Sequence, residues 1–245
     1  MSAHCFFSGE LKQGDSQALL SPEESHHLAK VLRLKEGDEI TILNGRGLTA
    51  KAILKASDGS SRHAQISCSI ISETLSQPPC PAIRLYIAPP KGRNMDLLIK
   101  EAAELGVSRI TPIICKYSVS RPDGGKSAWR QHLIVACKQS RNPWLPLIDE
   151  PMDFESALSA GSELDFLGAV PRPGYQSRKV NPEQAKLNGA ALWIGPEGGF
   201  TEKEESALLD KGAAPITVGN WILRVETAVP ALLGALYALL NTDRH

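Results

Sequence analysis

The chain has 245 residues, 42% of them hydrophobic and 22% charged, with 27 basic and 27 acidic side chains and no formal net charge. That balance describes a globular protein of one large or two modest domains and excludes disordered and collagen-like classes. No apolar stretch follows a basic start, and the longest apolar run, residues 228–240, is thirteen residues long. It is too short to span a bilayer, so neither a secretory leader nor a membrane partner is expected.

Residues 22–32 are predicted as a helix, with Ser21 as N-cap, Pro22 at N1 and Glu24 at N3. Residues 39–44, 49–54 and 64–71 read as strands, with Asn44-Gly45 and Asp58-Gly59 as hairpin-type turns. Together they predict a small β-rich domain over residues 1–75. Residues 76–81, with Pro78, Pro79 and Pro81, form the linker, since such a run continues neither a strand nor a helix.

From 82 to 245 strands alternate with helices. Strands are expected at 83–88, 109–115, 164–170, 190–194 and 215–218. Helix 94–105 carries Met95, Leu98, Ala102 and Leu105 on one stripe and stops at Gly106. Helix 127–140 carries Trp129, Leu133, Ala136 and Cys137, and helices 202–211 and 227–240 follow. The alternation predicts an α/β fold: a mostly parallel sheet with helices on both faces, and a ligand beyond the carboxyl ends of its strands. Helix 227–240 is apolar nearly all round, so it must be buried on more than one side.

The turn Ile194-Gly195-Pro196-Glu197-Gly198-Gly199-Phe200 lies between a buried strand and a Thr201-x-x-Glu204 capping box. Its glycines let a ligand approach bare backbone. No G-x-G-x-x-G occurs, so the dinucleotide fingerprint is unsupported. Gly125-Lys126-Ser127 matches only the end of a P-loop, because Ser120 stands where a glycine is needed. His26 and His27 are adjacent and cannot face one metal from a helix, and no metal site is expected. Cys5, Cys68, Cys80, Cys115 and Cys137 are odd in number and widely spaced. They predict reduced thiols in a cytoplasmic protein rather than disulfides or structural zinc. Charge is uneven: residues 84–150 carry 11 basic and 6 acidic side chains, whereas 151–245 carry 8 and 12. A basic middle permits a local phosphate-binding face, or is a solvated surface.

The set G-P-E-G-G, Val218-Gly219, then Ile222-Leu223-Arg224 and Glu226-Thr227-Ala228 resembles the cofactor half of the SPOUT methyltransferases. More narrowly it resembles the bacterial 16S rRNA uridine-N3 methyltransferases. The run from His26 to Asp38, with Lys30, Arg33 and Lys35, resembles that family's small PUA-like RNA-binding β-barrel domain, and Asn44-Gly45-Arg46-Gly47 continues it. Lys91-Gly92-Arg93-Asn94 with Glu104-Leu105-Gly106-Val107, and Lys138-Gln139-Ser140-Arg141, resemble its first two helices. One departure is that His4-Cys5 precede Phe6-Phe7 where the family commonly has an arginine.

The resemblance implies a deep trefoil knot and a homodimer that are invisible to periodicity, since knots are rare. It implies S-adenosylmethionine as cofactor and 16S rRNA or the small ribosomal subunit as partner. The cofactor would lie among Val170, Pro171, Ile194, Gly195, Pro196, Glu197, Gly198, Gly199, Val218, Gly219, Ile222, Leu223, Thr227 and Ala228. RNA would meet Lys30, Arg33, Lys35, Arg46, Lys91, Arg93, Arg121 and Arg141. Methylation of N3 needs in-line placement and loss of the N3 proton, which a nearby cation favours. Arg224 and Arg172 are the candidate catalytic residues. Arg224 is alternatively structural, tied to Glu226 or Glu197, and Glu104 is either catalytic or structural. Two other classes remain open: an RNA-binding relative without catalysis, and an enzyme using the Gly-rich turn as an anion nest.

Overall fold

A computed structural model describes residues 4–55, 65–92, 94–119, 126–161, 163–170 and 182–240. The chain divides into two compact units, Met1–Pro78 with Ile134–Leu145, and Pro79–Leu133 with Pro146–His245.

In the first unit β1 (His4–Phe7), β2 (Gln17–Leu19), the helix α1 (Pro22–His26), β3 (Glu39–Leu43), β4 (Leu48–Leu54) and β5 (Ser67–Leu75) follow in order. The strands form one curled sheet in the order β1-β3-β4-β5-β2, antiparallel except for the β1–β3 pair. Alternation along β4 buries Leu48, Ala50, Ala52 and Leu54 and turns Lys51 and Ile53 outward, as the period of two requires. In β3 the alternation fails, because Thr41 and Leu43 are buried along with Ile40 and Ile42. Asn44 holds the β3–β4 turn: its Oδ1 accepts the Arg46 and Leu48 N–H groups at 2.8 and 3.0 Å, and its Nδ2 donates to the Leu11 carbonyl at 3.2 Å. Asp58 and Gly59 lie outside the described residues.

The helix expected over 22–32 stops early. Ser21 caps it, accepting the Glu24 N–H at 3.2 Å, but α1 gives way to a π-helical turn, His27–Val31. There the Leu32 N–H reaches back five residues to the His27 carbonyl. Arg33 then adopts a left-handed φ of 56°. The wider turn keeps Leu28, Leu32 and Leu34 packed in the core of this unit.

In the second unit β6 (Ile83–Ile87), α2 (Asn94–Glu104), β7 (Arg109–Ile114), α3 (Lys126–Ser140), β8 (Leu147–Ile148), β9 (Met152–Asp153), α4 (Phe154–Ala160), β10 (Leu164–Gly168), α5 (Pro182–Asn188), β11 (Ala190–Ile194), α6 (Glu202–Asp210), β12 (Ala214–Ile216) and α7 (Val225–Leu240) follow, α3 running on into the first unit's residues. The sheet runs β12-β10-β11-β6-β7-β8, with β9 beside β7, and every pairing is parallel. Central strand β11 is buried along its whole length, which explains its unbroken apolar run. Trp193 stacks on Tyr86 with centroids 3.8 Å apart. The stripe read on α2 shifts: Ile99 and Ala103 are buried, whereas Leu105 is exposed beyond the helix end.

Candidate active site

The Gly-rich turn leaves the carboxyl end of β11, where the Ile194 carbonyl accepts the Ala88 N–H at 3.0 Å. Gly199 then donates to the Pro196 carbonyl at 2.8 Å, and the chain enters α6 through the capping box read in the sequence. A cleft of about 500 Å³ opens there, within the range that holds a nucleoside-sized ligand. Its walls come from the ends of β10 and β11, the segment after β12 and the first turns of α7. This is the position beyond the carboxyl ends of parallel strands that the alternation predicts.

Of the residues expected at the cofactor, Val170, Ile194, Gly195, Pro196, Glu197, Gly199, Val218, Ile222, Leu223 and Ala228 line the cleft, and so does Arg224. Gly198, Gly219 and Thr227 do not line it, and Gly198 backs onto Tyr117 instead. Pro171 and Arg172 lie outside the described residues. Gly199 has a φ of 75°, and a methyl group built on its Cα would meet no atom of the described residues within 4 Å. The chain therefore presents bare backbone to open space there, which suits a ligand read by main-chain groups.

Sequence reasoning did not name Asn94, Gly168, Trp221 or Leu232 for the cofactor, and it read Glu226 only as part of the motif and a partner for Arg224; all five stand on the wall. Trp221 and Ile222 are 81% and 77% exposed, an unusual state for large apolar side chains. Gly168 is small because Leu232 of α7 packs on it: a Cβ there would sit 2.9 Å from Leu232 Cδ1. The Asn94 side-chain amide donates a short hydrogen bond to Glu226 Oε1, joining the first turns of α2 and α7. Two turns along α2 from Asn94, the Glu101 carboxyl is pushed up by burial, then by the charges of Glu104 and Glu226, and its buried Oε2 has no hydrogen-bond partner among the described residues. Glu104 is exposed and off the cleft wall.

Arg224 is exposed and its guanidinium makes no ion pair among the described residues, while its carbonyl accepts the Thr227 and Ala228 N–H groups at 2.9 and 2.8 Å. Glu226 is held by Asn94, and Glu197 accepts the Lys91 backbone N–H at 3.0 Å. An anion nest at the start of α6 is disfavoured by its own side chains. Glu204 takes the Thr201 N–H at 2.8 Å, and three carboxylates crowd the first turn. Among the described residues no three His, Cys, Asp or Glu side chains gather as a metal site, and no helix is long and apolar enough to cross a membrane.

The basic residues expected at RNA fall in two groups. Lys30, Arg33, Lys35, Arg46 and Arg141 are exposed in the first unit. Arg33 and Lys35 alternate with the inward Leu32 and Leu34. Arg46 Nη2 donates back to the Leu11 carbonyl at 3.3 Å. Cys5 is half-buried, its thiol pushed up to about 11 by burial against the lowering charges of Arg141 and Lys138. Lys91 is exposed in the second unit, and Arg93 and Arg121 lie outside the described residues.

The RNA methyltransferase domain family matches residues 76–237, and the RNA methyltransferase PUA domain family matches residues 20–66. The ribosomal RNA small subunit methyltransferase E of Synechocystis is 32% identical over 93% of this chain and 75% of its own length. That of Bacillus subtilis is 29% identical over 89% and 88%. The crystal structure of a ribosomal RNA small subunit methyltransferase E from Neisseria gonorrhoeae, bound to S-adenosyl methionine, superposes with a TM-score of 0.84 at 26% identity, covering 97% of this chain and 98% of that one. A Legionella pneumophila protein in complex with bound SAM superposes with a TM-score of 0.83, also at 26% identity and over the same shares.

Proposed function

Since the chain belongs to the RNA methyltransferase family that includes the ribosomal RNA small subunit methyltransferases E, we propose that it methylates 16S rRNA of the small ribosomal subunit with S-adenosylmethionine. The product is the N3-methyl derivative of one uridine, as the motif resemblance implies. The observation that carries this reading is the cleft itself: backbone from three separate segments meets at the carboxyl ends of β10 and β11 around open space. Two related structures bind S-adenosylmethionine on the same fold.

When bound, the cofactor supplies a methyl group already activated on a sulfonium, so the protein's share is placement and proton removal. The glycines and short side chains of the turn leave room for it, and the exposed Arg224 favours the N3 anion. Arg172 belongs to the proposal on sequence alone. The first domain, residues 1–75, is the RNA grip, with exposed Lys30, Arg33 and Lys35 toward phosphates. A homodimer goes with this reading. The outward apolar positions of α7 and the exposed Trp221 and Ile222 support it. The trefoil knot implied by the motif resemblance and a cytoplasmic location, where ribosomes are made, are further parts of the same proposal.

Nucleoside mass spectrometry of 16S rRNA from a strain lacking this gene should show loss of N3-methyluridine, restored by the wild-type chain. Calorimetry should show saturable S-adenosylmethionine binding, and its absence would favour an RNA-binding relative without catalysis.

A further inference from the structure

Methyl transfer to N3 requires an acceptor for the N3 proton, and neither Arg224 nor Arg172 can be one, since a guanidinium stays protonated. Among the described residues three carboxylates line the cleft: Glu197, Glu205 and Glu226. Glu197 sits exposed on the rim and is engaged with the Lys91 backbone N–H. Glu205 stands in the first turn of α6 beside Glu202 and Glu204 and has interactions of its own. Glu226 differs from both. It lies in the first turn of α7, directly after the Arg224-Val225 segment that borders the cleft. The Asn94 amide fixes one of its oxygens, and the other makes no hydrogen bond among the described residues.

On this geometry, and resting on the methyl-transfer reading above, we infer that Glu226 is the catalytic base and that Asn94 is its positioning residue. An amide N–H fork can only donate, so Asn94 keeps Oε1 as an acceptor and leaves Oε2, on a residue that lines the cleft, to take a proton. The Glu226 carboxylate takes the N3 proton of the uracil. The electron pair left on N3 forms the bond to the methyl carbon. The carbon–sulfur bond breaks with its pair remaining on sulfur, which neutralises the sulfonium. The protonated Glu226 then returns its proton to water. The exposed Arg224, two residues earlier, offsets the charge that develops on the base ring.

The test uses the full chain and small subunits prepared from a strain lacking the gene. Glu226→Gln retains an acceptor for Asn94, so melting temperature and calorimetric affinity for S-adenosylmethionine should hold. The single-turnover rate at neutral pH should fall by about 100-fold or more, the span of general base catalysis. The residual rate should climb about tenfold per pH unit above neutrality, because the N3 proton must then leave to solvent. Glu226→Asp should recover part of the rate, and Asn94→Ala should lower it without moving the cofactor affinity. A Glu226→Gln rate within about threefold of wild type overturns the assignment. So does loss of cofactor binding in that variant, which would make Glu226 a cofactor ligand. If Glu226→Gln does not fold, the wild-type profile decides: a rate falling with pH on the acid side supports the base, and a flat profile overturns it. A wild-type chain that binds cofactor but leaves the subunits unmodified defeats the methyl-transfer reading, and this inference with it.

Discussion

The Asp165 carboxylate accepts a hydrogen bond from the Trp193 indole N–H at 2.7 Å, in the middle of the parallel sheet. Its other oxygen meets Lys211 Nζ at 3.0 Å, and Asp165 is only 5% exposed. Trp193 in turn stacks on Tyr86. Asp165→Ala leaves a buried indole donor and a lysine without their acceptor. Unfolding in urea should show a loss of about 3 kcal/mol, since truncating one partner of a buried charged bond strands the other. A loss under about 1 kcal/mol would mean that water replaces the carboxylate freely.

Glu101 gives a pH signature. Burial, then the charges of Glu104 and Glu226, raise its carboxyl above the ordinary value of 4.5. Folding therefore favours the protonated form, and that contribution is present at acid pH and lost as pH rises through the folded value. Glu101→Gln removes the penalty. The variant should match wild type at low pH, melt higher at neutral pH and show a flatter stability profile between the two. Equal melting temperatures at every pH would show that solvent relieves the carboxylate.

Gly199 and Gly198 separate ligand space from protein packing. A methyl on Gly199 points into open space, so any loss of S-adenosylmethionine affinity in Gly199→Ala beyond the strain of its positive φ reports on a ligand there. A methyl on Gly198 would sit 3.2 Å from Tyr117 Cβ, off the cleft wall. Gly198→Ala should lower the melting temperature and leave affinity unchanged. Calorimetry giving the reverse order would move the cofactor off this turn.

The parts of the fold legible beforehand are those written in local chemistry. β11 is a continuous apolar run because both its faces are covered, and α6 announces itself through Thr201 and Glu204. The unread parts depend on distant partners. β8 and β9 are two residues each, too short for any period, and exist only because β7 offers an edge. The π-helical turn at His27–Val31 follows from where Leu28, Leu32 and Leu34 find core, which helix capping rules do not see. The Gly-rich turn was readable as a backbone site, but Asn94 joins Glu226 across 132 positions, and no pattern near either residue signals it.

The first domain should bind RNA through charge. Lys30, Arg33 and Lys35 are exposed, and changing all three to alanine in the full chain should weaken binding to small subunits. The salt dependence should flatten, with the slope falling by about one for each phosphate contact removed. Cofactor affinity should stay put, because none of the three lines the cleft. An unchanged salt slope would place the RNA grip elsewhere.

Association can be tested on α7 without touching the core. Leu233 and Leu236 are both 0% exposed within the chain itself, so aspartate at either position would test folding rather than pairing. Pro230 lies inside the helix, five residues after its start at Val225, where it removes a donor that the Glu226 carbonyl would otherwise have. The outward positions of α7 include Gly234, Ala238 and Leu239, the last 40% exposed. If these positions meet a second copy, Leu239→Asp places a charge in an apolar interface with no partner, a costly burial. Sedimentation should then show the wild type as a dimer and Leu239→Asp as a monomer with an unchanged melting profile at low concentration. Leu233→Asp should instead unfold the chain, by about 3 kcal/mol or more, as a buried charge without a partner does. A wild-type monomer fully active at working concentration, or a Leu239→Asp dimer as tight as wild type, would remove this face of α7 from the interface.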